Sequence, residues 1–83
     1  MKILYFARIR QIAGRGAEDI EIPGSVTTIS ELIDFLSEGD ERLAAAFAER
    51  RAIRAAIDKN HVALDAPIAG ATEIAFFPPV TGG

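Results

Sequence analysis

The chemistry-bearing stretch of this 83-residue sequence is Val80-Thr81-Gly82-Gly83. Glycine has no Cβ, so the backbone of Gly82 and Gly83 can approach another surface closely. Pro78 and Pro79 stiffen the base of the same stretch, whereas the two glycines free its tip. From Pro78 to Gly83 the chain reaches roughly 20 Å when fully extended. A stiff base with a slim end bare of side chains suits a carboxylate that must enter a narrow active site in another protein.

Elsewhere, groups able to do chemistry are few. The absence of cysteine excludes disulfides, thiolate metal sites and a cysteine nucleophile. His61 is the single histidine and has no second ligand at metal spacing, so it reads as a solvated side chain beside a turn. Gly14-x-Gly16 lacks the third glycine and the strand-to-helix setting of a phosphate loop, so it reads as a hairpin turn. Arg50, Arg51 and Arg54 read as a small solvated basic cluster. The net charge of −3 argues against a nucleic-acid partner. Glu18, Asp19, Glu21, Glu38, Asp40 and Glu41 are either solubilising or complementary to a basic partner, and the residues favour neither reading. No Ser/His/Asp constellation can be assembled. General acid–base work would therefore come from a partner's side chains.

The elements that must position the end of the chain follow from periodicity. With 49% hydrophobic and 25% charged residues, the composition is that of one globular domain, small enough to want a partner's help. Lys2 to Ile12 alternates, placing Ile3, Tyr5, Ala7 and Ile9 on one face and Lys2, Leu4, Phe6, Arg8 and Arg10 on the other. Ala17 to Ile22 alternates again before Pro23-Gly24, which predicts a hairpin through Gly14-Arg15-Gly16. Thr28 and Glu31 fit a capping box ahead of the stripe Ile29, Leu32, Ile33, Leu36, and Gly39 fits a left-handed helix stop. Asp40 can cap a second, short helix carrying Leu43 and Phe47. Period two returns with Ile53, Ala55 and Ile57 against Arg54 and Asp58, followed by a turn at Asp58-Lys59-Asn60 and a short return through Val62 and Leu64. Asp65-Ala66-Pro67 breaks the chain, and Glu73 to Phe77 is the last strand, ended by Pro78-Pro79.

A hairpin, a crossing helix and further strands imply an α+β fold, with a mixed sheet and one main helix packed on one face. First and last strands as parallel central neighbours make this the β-grasp arrangement. Residues 1–77 are the expected domain and 78–83 a flexible tail. On that parity Leu4, Phe6 and Phe77 lie opposite the helix, as an apolar patch suited to docking a partner. The longest uncharged apolar runs, Leu43 to Ala48 and Ile74 to Val80, fall far short of a membrane span, and Ile3 to Ala7 is too short for a signal-peptide core. A cytoplasmic protein is expected, with neither membrane nor nucleic acid as partner.

The sequence also resembles a family. Phe76-Phe77-Pro78-Pro79-Val80-Thr81-Gly82-Gly83 matches the C-terminal signature of the small, sulfur-carrying subunit of molybdopterin synthase. Leu4-Tyr5-Phe6-Ala7 with Arg10 is similar to that family's first strand, and Asp65-Ala66-Pro67-Ile68 to its pre-terminal turn. The chain departs at Asp58-Lys59, where relatives often carry an Asn-Gln-type pair, and at His61, where they commonly carry an apolar residue. The resemblance implies a carrier whose reactive group is the Gly83 carboxylate, with Gly82 on its access path. It implies an ATP-dependent enzyme that adenylates this carboxylate and a persulfide donor that converts it to a thiocarboxylate. The large synthase subunit then takes the tail, and the sulfur attacks cyclic pyranopterin monophosphate. Leu4, Phe6, Phe77, Pro78, Pro79, Val80 and Thr81 are implied as partner-binding residues, in an assembly of two small subunits at opposite ends of a dimer of large ones. No cofactor or metal is expected to be bound, ATP being used only transiently by the activating enzyme. Two other readings stand beside this one. The same chemistry can serve thiamine or a thiolated nucleoside, and a β-grasp domain can be a ubiquitin-like modifier or a plain interaction module.

Overall fold

Strand alternation at the start of the chain lasts only four residues. In the computed structural model, which describes residues 1–79, β1 (Lys2–Tyr5) buries Ile3 and Tyr5 and turns Lys2 and Leu4 away. Helix α1 (Ala7–Ala13) then begins, where alternation predicts strand as far as Ile12. The spacing explains the difference. Tyr5, Ile9 and Ala13 are four apart, a separation that suits both periods, and Ile12 completes an i, i+3, i+4 stripe with Ile9 and Ala13. Ile9 and Ala13 are the buried residues of the helix. Gly14 is consequently the left-handed cap of α1, at φ 77° with its N–H on the Arg10 carbonyl, and not a hairpin turn. Strand β2 (Ala17–Asp19) still pairs antiparallel with β1, but through a helical connection. Ile20 and Ile22 lie beyond its end, partly buried against the core.

Helix α2 (Ile29–Gly39) buries Ile29, Leu32, Ile33 and Leu36 as the stripe requires. Thr28 Oγ1 accepts the Glu31 N–H at 3.1 Å. The Glu31 carboxylate closes back onto Thr27 instead of Thr28, accepting its N–H at 2.7 Å and its hydroxyl at 2.8 Å. These bonds hold Glu31 below the usual carboxylate range, the Thr27 N–H contributing most. The N–H groups of Ile29 and Ser30 donate to the Ala66 and Leu64 carbonyls at 3.1 and 2.7 Å. The break at Asp65-Ala66-Pro67 thus caps the helix from outside. Gly39 is the last helical residue of α2, not a left-handed residue beyond it. Extended Asp40 makes the corner and caps α3 (Glu41–Ala46) by accepting the N–H groups of Arg42 and Leu43 at 2.8 and 3.2 Å.

A 3-10 turn (Arg50–Ala52) leads into β3 (Arg54–Ile57), which pairs antiparallel with β4 (Asn60–Val62). Asp58 and Lys59 connect them with φ of 47° and 72°, the double left-handed geometry of a two-residue hairpin turn. Strand β5 (Glu73–Phe77) lies between β1, to which it is parallel, and β3, to which it is antiparallel. The order β2-β1-β5-β3-β4 is the ubiquitin-like β-grasp arrangement. One apolar cluster joins sheet and helices: Ile3, Tyr5, Ile74 and Phe76 pack with Ile9, Leu32, Ile33, Leu43 and Phe47. The Phe47 ring meets Phe76 edge-on at 5.0 Å and Tyr5 at 6.3 Å.

Candidate functional site

Strand pairing dictates what the opposite face of the sheet carries. Register places Ala17, Leu4, Ala75, Ala56 and His61 in one row across all five strands. The next row, toward the exit of β5, pairs Arg54 with Phe77. Phe6 follows β1 at the same end, its N–H donating to the Phe76 carbonyl at 3.0 Å. Leu4 and Phe77 are half-buried and Phe6 is 45% exposed, the one large apolar side chain of the described residues left so open. The parity expected for Leu4, Phe6 and Phe77 is the parity observed: all three lie away from the core. His61 is exposed as expected, yet its ring stands 4.9 Å from that of Phe77 and shields part of it. Sequence reasoning placed His61 beside the turn and missed this contact, because the two residues meet diagonally across β3.

Pro78 and Pro79 leave the sheet along a groove of about 410 Å³. Arg8, Ile9 and Ile12 of α1 form one wall, and Ala45, Ala48 and Ala52 line the other. The base of the tail therefore shares this groove with a helix that alternation did not predict. The glycine at its end, Gly14, was the available signal. Val80, Thr81, Gly82 and Gly83 lie outside the described residues.

A second polar grouping lies at the edge of the core. The Tyr5 hydroxyl donates to Glu18 Oε2 at 2.6 Å, Arg15 Nε donates to the same oxygen at 3.1 Å, and Arg15 Nη2 donates to Asp40 Oδ2 at 2.7 Å. Burial pushes the Tyr5 phenol up, and the hydrogen bond to Glu18 and that carboxylate's charge push it further. The Arg15 hydrogen bond and the Leu43 N–H hold Asp40 below the usual carboxylate range. Each of these groups is spent on another, tying the loop after α1 to the start of α3. The grouping positions elements and leaves no group free to react.

Among the described residues, no three His, Asp or Glu side chains stand close enough to hold a metal ion, and no helix is long and apolar enough to cross a membrane. The molecule thus offers an apolar sheet face continuous with a proline-based tail, and no self-contained reaction centre among those residues.

The chain is similar to known proteins in sequence and in fold. The molybdopterin synthase sulfur carrier subunit of Escherichia coli (strain K12) is 34% identical over 100% of this chain and 99% of its own length. The same subunit of Haemophilus influenzae is 31% identical, again over 100% of this chain and 99% of its own. The crystal structure of SAMP1 from Haloferax volcanii superposes with a TM-score of 0.72 at 25% identity, covering 100% of this chain and 98% of that one. The ThiS family model matches residues 3–83, through the paired glycines. With residues 3–83 matched by the family model and a relative matched along the whole chain, the chain belongs to the ThiS family.

Proposed function

We propose that this protein is the sulfur carrier subunit of a molybdopterin synthase, acting through the carboxylate of Gly83. The observation that carries the reading is the full-length likeness to two sulfur carrier subunits of that enzyme, in a family match that runs to Gly83. The open sheet face supports it, because Leu4, Phe6 and Phe77 offer an apolar surface beside the point where the tail leaves.

A carboxylate does not react with sulfur nucleophiles until it has a leaving group. In the proposed cycle, an adenylating enzyme joins the Gly83 carboxylate to the α-phosphate of ATP and releases pyrophosphate. The outer sulfur of a persulfide donor then displaces AMP to form an acyl disulfide. A second thiol of the donor cleaves its S–S bond, closing a disulfide on the donor and leaving the tail as a thiocarboxylate. The face carrying Leu4, Phe6 and Phe77 docks on the large subunit, and Pro78 to Thr81 lead the tip into its active site. There the sulfur is given to cyclic pyranopterin monophosphate, and two such transfers complete a dithiolene. The large subunit supplies the acid–base groups, which agrees with a body in which Tyr5, Glu18, Arg15 and Asp40 are bonded to one another.

The test is intact-mass measurement after incubation with ATP, a sulfur donor and the adenylating enzyme. The expected mass gain is that of one oxygen replaced by sulfur, lost again when the large subunit and its substrate are added. Deleting Gly83 withdraws the carboxylate by about 3.3–3.6 Å. A misplacement of about 1 Å already costs about 10²-fold in a positioned reaction, so turnover should fall to background. A truncated chain that still accepts and donates sulfur would overturn the reading. Isopeptide conjugates in place of a thiocarboxylate would make the protein a modifier, and sulfur delivered only to a thiazole or a nucleoside would reassign the product.

A further inference from the structure

The proposed docking face has a charged border that neither its apolar centre nor the tail accounts for. Arg8 lines the same groove as Pro78 and Pro79, with Glu49 its one acidic lining residue. Arg54 stands opposite Phe77 in the ladder, and its Nη1 bonds only to backbone, donating to the Arg51 and Ile53 carbonyls at 3.0 and 3.1 Å. Arg51 precedes it in the 3-10 turn. All three are exposed. The ion pairs among the described residues use Met1, Arg15 and Arg50 as cations, and none uses Arg8, Arg51 or Arg54. At the opposite end of the same face, charges alternate: Lys2, Asp19 and Glu73 share one row, with Asp58 and Lys59 in the adjoining turn. A chain of net charge −3 therefore carries, on the elements beside the base of its tail, three guanidinium groups that form no ion pair among the described residues.

We propose that Arg8, Arg51 and Arg54 form a cationic collar around the base of the tail, which recognises an acidic rim on the protein surface that receives it. The proposal rests on the carrier reading and adds the chemistry of the partner's surface. A guanidinium presents a planar fork of donors matched to carboxylates. Charges at the border of an interface act on encounter more than on final affinity, because they orient the partners before the apolar centres touch. Here that orientation has a purpose: a partner drawn to the collar meets the face with the tail already aimed at its opening. The spread of the arginines over α1, the 3-10 turn and β3 also makes the collar a property of the folded domain.

The experiment measures the association rate constant of the full chain with the large subunit of molybdopterin synthase, between about 0.02 and 0.5 M salt. For the wild type the rate should fall steeply as salt rises. The variant R8Q/R51Q/R54Q should associate about tenfold more slowly at low salt and lose most of the salt dependence. A control with the same change of charge elsewhere, K2Q/R42Q/K59Q, should keep the wild-type rate within about twofold and keep its slope. The R8K/R51K/R54K variant retains the charge and should retain the slope, which separates steering from any effect of the substitutions on local structure. Equal slowing by both glutamine variants would overturn the collar in favour of overall charge. A complex whose rate ignores salt overturns the collar alone, whereas absence of a complex at every salt concentration overturns the carrier reading and the collar with it.

Discussion

Tyr5 shows how one side chain serves both the sheet and the helices. Its ring is fully buried between Phe47 and Phe76, and its hydroxyl reaches out to Glu18, which Arg15 holds in place. Replacing it with phenylalanine keeps the ring and removes a hydrogen bond to a charged acceptor, a loss of about 1.5–3 kcal/mol at neutral pH. The pH dependence gives a sharper check. The folded phenol ionises above the ordinary tyrosine value because it is buried and faces a carboxylate. The native state therefore keeps a proton that the unfolded chain releases. Stability present below about pH 10 must be lost as pH rises beyond it. Denaturant melts of the wild type should weaken above that pH, and those of Tyr5→Phe should weaken much less. Asp40 has the opposite sign, since its pKa is depressed by Arg15 and the α3 N–H groups. Its contribution is present above the ordinary carboxylate range and disappears as acid protonates it, so Asp40→Ala should blunt the acid limb of the same profile.

At the scale of elements, the two tight corners make contrasting tests. Lys59 occupies a left-handed position, φ 72°, that suits glycine. Lys59→Gly relieves a strain of about 1–2 kcal/mol and reintroduces part of it as glycine's backbone entropy, so thermal melts should show a gain of about 0.5–1 kcal/mol. Gly14 is the converse: at φ 77° an added Cβ is strained and presses on the Arg42 guanidinium, so Gly14→Ala should cost about 1–2 kcal/mol. The same corners mark what the sequence discloses. Strand β5 was legible to its bounds because Pro78-Pro79 ends it and no helical spacing competes within it. Helix α2 was legible through Thr28 and Glu31. Helix α1 was not, since a four-residue spacing fits either period and Gly14 suits a turn as well as a helix end. Alternation alone put Leu4, Phe6 and Phe77 on the far face. It could not show Arg54 or His61 beside Phe77, because register between strands distant in sequence leaves no periodic mark.

For the whole molecule, the proposed function turns on an apolar face whose Leu4, Phe6 and Phe77 lie outside the core cluster. Phe77→Asp and Phe6→Asp should leave the melting of the isolated chain within a few degrees of wild type while removing binding to the large subunit, as measured by calorimetry. Unfolding of Phe77→Asp would instead make Phe77 a core residue. Light scattering of the mixed subunits should give two of each, and a persistent one-to-one heterodimer would count against that assembly. The central ladder carries one more implication. Residues 2–5 lie beside residues 73–76, so the middle of the sheet cannot close until nearly all of the chain has been synthesised. Loop closure over that separation must precede any reward from the pairing, which makes folding slow for so small a chain and leaves little to gain from partial structures. Leu4 and Phe6 therefore acquire Phe77 as a neighbour only in a finished domain. A nascent chain that still lacks β5 has neither the assembled face nor the proline base beside α1, and it should not compete with completed chains for the large subunit.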